Sequence, residues 1–151
     1  MWFYLNGSSS GLTSGDQTSL EQNEYAQAVA ANEAALYVMP NHDKAVTPAI
    51  KFVGYSLNPD NLNARGKAEA YQRGLGYNKS NAEGLIRQIS DAVTSGNVKP
   101  YDISTSPYGI KYKYRIPVTG PNGKTKNVIA VYQLDNGSEV PRMVTNYLEG
   151  R

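Results

Sequence analysis

The stretch "GIKYKYRIPVTGPNGKTKN", residues 109–127, carries five cations and no acid, with its tyrosines set between the cations. Ile110, Tyr112, Tyr114, Ile116 and Val118 alternate with Lys111, Lys113, Arg115, Pro117 and Thr119. A period of two belongs to a strand, which sends successive side chains to opposite faces. The spacing predicts a strand with its apolar set on the core and its cations on the other face. "GPNG" (120–123) then turns the chain. "NVIAVYQL" (127–134) is apolar at both parities, the pattern of a central strand covered on both sides. "DNGS" (135–138) makes another turn, and "RMVTNYL" (142–148) predicts a closing strand.

Working outward, the period lengthens upstream of Pro100. Ala64, Ala68, Tyr71 and Leu75 in "NARGKAEAYQRGLGY" fall on one helical face, and Gly76 supplies a stop. A second helix starts at Ser80 with Glu83 three residues on. It buries Leu85, Ile86, Ile89, Ala92 and Val93 and ends at Gly96. "AIKFVGYSLNP" (49–59), β-branched and aromatic, predicts a strand ahead of both helices. The expected body, residues 49–151, is α+β, with N-terminal helices followed by a twisted antiparallel sheet. Residues 1–48 are expected to form an arm. It begins with a short tether, "MWFYLNGSSSG", too short in its apolar part for a signal peptide. One Ala-rich helix over residues 24–38 follows, capped near Thr18 or Ser19 and stopped by Pro40. "PNHDKAVTP" (40–48) reads as a linker, in which the sole histidine, His42, is expected to be exposed and idle.

A chain of 151 residues accommodates one domain and such an arm. It has no cysteine, which excludes a disulfide scaffold, thiolate metal sites and a cysteine nucleophile. No apolar run approaches the roughly 20 residues of a membrane span. Residues 1–50 hold five acids against one base, and residues 51–151 hold fourteen bases against eight acids. An acidic arm thus precedes a basic body, which suits an anionic partner such as nucleic acid.

Three cation-bearing features stand out. Lys111, Lys113 and Arg115 are spaced about 7 Å apart by strand rise, a row suited to a phosphate backbone; a solvated face or a lysine-protected edge explains them equally well. Arg65 and Lys67 occupy the start of a helix, where the macrodipole disfavours cations but where a phosphate would find both N–H groups and positive side chains. In the C-terminal strand Val144 and Leu148 fit the core face, placing Thr145 and Tyr147 on the other. Arg142 has the wrong parity for that face in an ideal strand, so it must act from the strand mouth or through a bulge beside Pro141.

Taken in order, "KFVGYSLNP", "GKAEAYQRGLGY", "NAEGLIRQI", "TGPNGKT" and "PRMVTNY" resemble a group of small bacterial C-terminal toxin domains, those of contact-dependent growth inhibition effectors and related polymorphic toxins. The resemblance covers residues 49–149, with Tyr132 standing where a Trp is expected. It implies a barnase/EndoU/colicin/RelE-type (BECR-like) fold and metal-independent ribonuclease activity, directed at tRNA. It also implies a monomer delivered from a larger secreted or cell-surface effector into the target-cell cytoplasm, and a cognate immunity protein, which complementarity would make acidic. The site positions it implies are Lys67, Arg142, Thr145 and Tyr147, with Thr119 beside the substrate.

Chemistry sets the same requirements independently. RNA cleavage without metal needs removal of the 2′-OH proton, compensation of charge on the phosphorane and protonation of the leaving oxygen. With no His/Asp/Glu cluster of ligand spacing, no metal or cofactor is expected, and the site must be built from cations and hydroxyls. Arg142 would clamp the phosphate in a fork. Lys67 would stabilise the developing charge, Tyr147 would carry a proton and Thr145 would orient the phosphate. Arg65, Lys111, Lys113, Arg115, Lys124 and Lys126 would line the approach of the RNA backbone. Two other classes stay open on sequence alone: a non-catalytic RNA or single-strand binder, and a protein-interaction module whose basic face meets an acidic partner.

Overall fold

The computed structural model describes residues 38–150. The N-terminal tether and the expected helix of the arm, up to residue 37, lie outside the described residues. A helix α1 (Arg65–Gly74) and a helix α2 (Ala82–Ser95) precede four strands, β1 (Asp102–Ser106), β2 (Gly109–Thr119), β3 (Thr125–Asp135) and β4 (Arg142–Leu148). The strands form one sheet in the order β1-β2-β3-β4, each antiparallel to the next. The architecture is α+β, with the helices ahead of an open antiparallel meander.

The alternation that opens the sequence reading is realised directly. Tyr112, Tyr114, Ile116 and Val118 are buried on the helix-covered face, while Arg115, Pro117 and Thr119 are exposed. Across the ladder, Tyr112 pairs with Tyr132 and Tyr114 with Ala130, and the Tyr114 and Tyr132 rings meet edge to face with centroids 5.7 Å apart. Strand β3 is buried at both parities, since Val128, Ala130 and Tyr132 face the helices and Ile129 and Val131 face the other way. Strand β1 has a polar sequence, DISTS, and no apolar period, so nothing in its residues announced it.

Both helices bury the stripes their spacing predicted. Ala64, Ala68, Tyr71 and Leu75 are buried, as are Leu85, Ile89 and Val93, with Ile86 and Ala92 packed at the margin. Gly76 takes a positive φ of 83° where α1 stops, a conformation that favours glycine. The second helix is entered earlier than Ser80. Asn78 accepts from the Ser80 amide at 2.9 Å, and the Asn81 carbonyl oxygen of its side chain accepts from the Asn78 amide at 2.7 Å, closing a capping box around a short 3-10 turn.

Two expectations are corrected. Residues 49–59 do not form a strand. Phe52–Ser56 is a π-helical turn closed by the Leu57 amide on the Phe52 carbonyl at 2.8 Å. Its buried residues, Phe52, Ser56 and Leu57, recur at a wide helical spacing, so tertiary packing overrides the β-branched and aromatic composition. Residues 40–48 are not a free linker either. Met39 is fully buried in the core, Val46 pairs with β4 through the Pro141 carbonyl and the Met143 amide, and the Thr47 hydroxyl bonds that of Tyr132 at 2.6 Å. His42 is half-buried, its Nδ1 lying 3.1 Å from the Thr94 carbonyl, and its ring fills the space a Cβ on Gly96 would take. The short polar residues that made the segment look like a linker are the groups that tie it down.

Candidate functional site

Strand β4 is an edge of the sheet, bridged by Val46 only at its start, and α1 lies along it. Tyr71 donates its hydroxyl to Asn146 Oδ1 at 2.8 Å on the core face. One turn earlier on the same helix, Lys67 reaches the opposite face of β4 and donates to Thr145 Oγ1 at 2.9 Å. Asn146 is completely buried, and its Nδ2 also reaches the Lys51 carbonyl at 3.3 Å, which joins helix, strand and π-helical turn at one point. A buried amide with these partners fixes the position from which Lys67 extends.

The Lys67 ammonium sits between two aromatic rings. Its Nζ is 4.6 Å from the ring centroid of Tyr55 and 5.5 Å from that of Tyr147. Tyr55 comes from the π-helical turn, and reading that segment as a strand hid it. The buried Phe52 and Leu57, five apart on either side of Tyr55, are the signal for the turn. No side chain caps the start of α1 at Ala64 and no acid occupies its first turn, so the cations Arg65 and Lys67 sit at the positive end of the helix dipole.

A bulge settles the parity of Arg142. The β3–β4 register shifts between Val131 and Tyr132: Tyr132 faces Met143, Val131 faces Thr145, and Val144 is left as the extra residue. Met143, Asn146 and Leu148 therefore point to the core, and Val144, expected there, is only half-buried. Arg142, Thr145 and Tyr147 share the outer face, opposite Gln133, Val131 and Ile129. Those residues in turn face Lys111, Lys113 and Arg115 on β2, so the outer face carries both sets.

Sharing a face is not the same as sharing partners. Arg142 is held by Asp135, with Nε to Oδ2 at 2.7 Å and Nη2 to Oδ1 at 3.1 Å, and Gln133 donates to the same carboxylate at 2.6 Å. These hydrogen bonds, from Arg142 first and Gln133 second, hold the Asp135 carboxyl below its usual range. Arg115 is likewise bound, forked onto both Glu149 oxygens and stacked 4.2 Å from the Tyr101 ring. Arg115 in turn lowers the Glu149 pKa. Lys111 and Lys113 are half-exposed beside them. Arg65 is exposed and reaches the Pro59 carbonyl at 3.3 Å. Thr119 lies elsewhere, at the β2–β3 hairpin, where its amide and carbonyl are bound by Gln88 and its hydroxyl by Thr125. Lys124 is exposed in the turn of that hairpin and Lys126 is exposed at the start of β3.

The structure thus brings Lys67, Thr145 and Tyr147 together, adds Tyr55, and leaves Arg142 on the same face in the grip of a carboxylate. Among the described residues no three His, Asp or Glu side chains group as metal ligands, and no helix is long and apolar enough to cross a membrane.

A β-meander with a helix laid along its open edge, presenting an ammonium to hydroxyls and rings, defines an α+β domain with a cationic centre on that edge. The chain belongs to the family described as Domain of unknown function (DUF6883), whose model matches residues 38–150. No curated protein matches the chain. Its fold is similar to that of a chain in the contact-dependent growth inhibition toxin–immunity protein complex from Klebsiella pneumoniae 342. The TM-score is 0.52 at 18% identity, over 74% of this chain and 98% of that one.

Proposed function

We propose that this chain is the toxic domain of an antibacterial contact-dependent growth inhibition effector, and that it is a ribonuclease that cleaves tRNA without a metal ion. The fold shared with a chain of a toxin–immunity complex supports the toxin class. The basic body, with fourteen bases to eight acids over residues 51–151, favours the toxin over the immunity role, because the RNA substrate is anionic.

The observation that carries the ribonuclease reading is the Lys67 centre. Its ammonium is held by a hydroxyl and two rings and is paired with no carboxylate among the described residues, so its charge is left for an incoming phosphate. A phosphodiester seated there meets the ammonium, the Thr145 hydroxyl and the uncapped start of α1. The ribose 2′-OH attacks the adjacent phosphorus, the P–O5′ bond breaks, and the products are a 2′,3′-cyclic phosphate and a free 5′-OH. Lys67 stabilises charge on the phosphorane oxygens. Tyr147 relays the proton, its hydroxyl accepting that of the attacking 2′-OH and giving its own to the departing O5′, and Thr145 orients the phosphate. Tyr55 stacks on Lys67 or on a base. Arg142 exchanges the Asp135 carboxylate for a neighbouring phosphate, a substitution its planar fork permits. An immunity protein with an acidic face over this edge would block all of these groups at once.

Induced expression of the chain in bacteria lacking an immunity partner tests the reading. Growth arrest with fragmented tRNA, both lost in Lys67→Ala, is the expected outcome. Arrest with intact RNA would remove the ribonuclease assignment.

A further inference from the structure

At the opposite end of α1 from Lys67 lies a cationic cleft. We propose that it is a phosphate-binding subsite that holds a non-reacting phosphodiester of the same RNA, an inference that rests on the ribonuclease reading of the Lys67 centre. The cleft encloses about 440 Å³ between the last turn of α1, the β2–β3 hairpin and the end of β4, and Arg73, Lys124 and Lys126 line it.

Its electrostatics favour an anion. None of the three cations is ion-paired with a carboxylate among the described residues. Glu149, the one acid in the lining, already receives Arg115 on both oxygens and Asn127 at 3.3 Å. A helix C-terminus would ordinarily repel a phosphate through its unpaired carbonyls. Here the hairpin takes them up: Asn122 donates its side-chain amide to the Gly74 carbonyl and its backbone amide to the Leu75 carbonyl, each at 3.3 Å.

The glycines around the cleft serve the same placement. A Cβ on Gly120 would lie 2.0 Å from the Leu75 carbonyl oxygen, so only glycine lets the hairpin dock on the helix end. A Cβ on Gly74 would stand 2.5 Å from Leu148 and 3.3 Å from the Lys126 Cδ. Glycine at that helical position, otherwise unfavourable, gives the Lys126 stem its path across α1. The motif "TGPNGKT" is thereby explained as a clasp that delivers Lys124 and Lys126 to Arg73.

Geometry links the two sites. Lys67 and Arg73 are six residues apart on one helix, about 9 Å of rise, and Thr145 and Leu148 are three apart on the adjoining strand, about 10 Å. A single strand lying along the α1–β4 seam would place one phosphate at Lys67 and a later one at Arg73 and Lys126. The row Lys111–Arg115 across the sheet is then not the main track, and Arg115 is already committed to Glu149.

The test uses the full chain, uncleavable 2′-O-methyl RNA as a dinucleotide and as a longer oligomer, and the double variant Arg73→Ala/Lys126→Ala, whose exposed positions leave the melting temperature near wild type. The variant should bind the longer oligomer about tenfold more weakly. Its affinity should also show a salt slope lower by roughly 1.4, two lost contacts at about 0.7 each. The loss on the dinucleotide should be several-fold smaller. Equal losses on both lengths, or none on the longer one, would overturn the subsite. So would poly-glutamate binding to the wild type as tightly as RNA, which would mark the cleft as a contact for an acidic protein. If wild-type protein shows the length dependence yet cuts no RNA bearing 2′-OH groups, the ribonuclease reading falls and the subsite stands.

Discussion

Lys67 and Arg142 sit on the same edge of the sheet and are surrounded in opposite ways. Arg142 has its charge answered twice over by Asp135, whose Oδ1 also accepts from Gln133. Lys67 is answered by a threonine hydroxyl and two tyrosine rings, which orient an ammonium without neutralising it. The difference teaches that a cation's place in the sequence says little about its availability. A bound carboxylate competes with phosphate at Arg142, whereas among the described residues no carboxylate pairs with Lys67.

The largest expected effect separates the two directly. Lys67→Ala should lower single-turnover RNA cleavage by about 10²–10³-fold, the scale of losing one preorganised charge donor. Arg142→Ala should cost far less, because Arg142 must first leave Asp135. Equal losses would show that the ion pair is already broken in the working state.

Next in size is the support beneath Lys67. Tyr71→Phe removes the donor to the buried Asn146 and should destabilise the domain by about 1–3 kcal/mol in urea unfolding. Cleavage should fall with it, since the same contact holds α1 against β4. A stable variant with full activity would mean that Lys67 is positioned by some other contact.

Asp135→Asn sharpens the comparison from the other side. Freed from its partner, Arg142 should raise RNA affinity several-fold at low salt, and the gain should vanish at high salt. No gain would place Arg142 outside the substrate path.

The smallest effects are in pH. Asp135 and Glu149 have folded pKa values below their ordinary 3.8 and 4.5, so their ion pairs stabilise the fold above those values and the contribution is lost as pH falls through the lowered ones. Both pairs are exposed, and the acid-side change in melting temperature should be slight and erased by salt. On the alkaline side burial raises the Tyr114 and Tyr132 pKa values, the latter to about 12 from 10.0. The Tyr132 contribution is complete below pH 10.0 and is lost as pH rises through about 12, so unfolding above pH 10.0 should release protons.

Much of this was legible in the residues. The alternation of 110–118, the double-parity run of 127–134 and the helical stripes reported their own burial, because each period is imposed by local geometry. Lys67 was marked by its position at an acid-free helix start. What escaped were features set by tertiary contact. The π-helical turn carries strand-like composition, and only its packing reveals Tyr55 as a neighbour of Lys67. A bulge beside Pro141 was one of two ways the sequence offered to bring Arg142 onto the Thr145 face, but its place at Val144 cannot be counted from one strand. Asp135 opens a turn in the sequence, and its hold on Arg142 exists only once β3 and β4 pair. Residues 40–48 look like a linker because Asn, His and Thr are small and polar, yet those side chains bond them to the body.

The measurement that bears most directly on the central claim is end-group analysis of tRNA incubated in EDTA with purified wild-type protein and with Lys67→Met, a variant that keeps the stem and deletes the charge. Fragments ending in 2′,3′-cyclic phosphate with the wild type, and intact tRNA with the variant, are the predicted result. Cleavage undiminished in Lys67→Met, or absent from both until Mg²⁺ is supplied, would contradict the assignment of Lys67 as the charge that receives the phosphate.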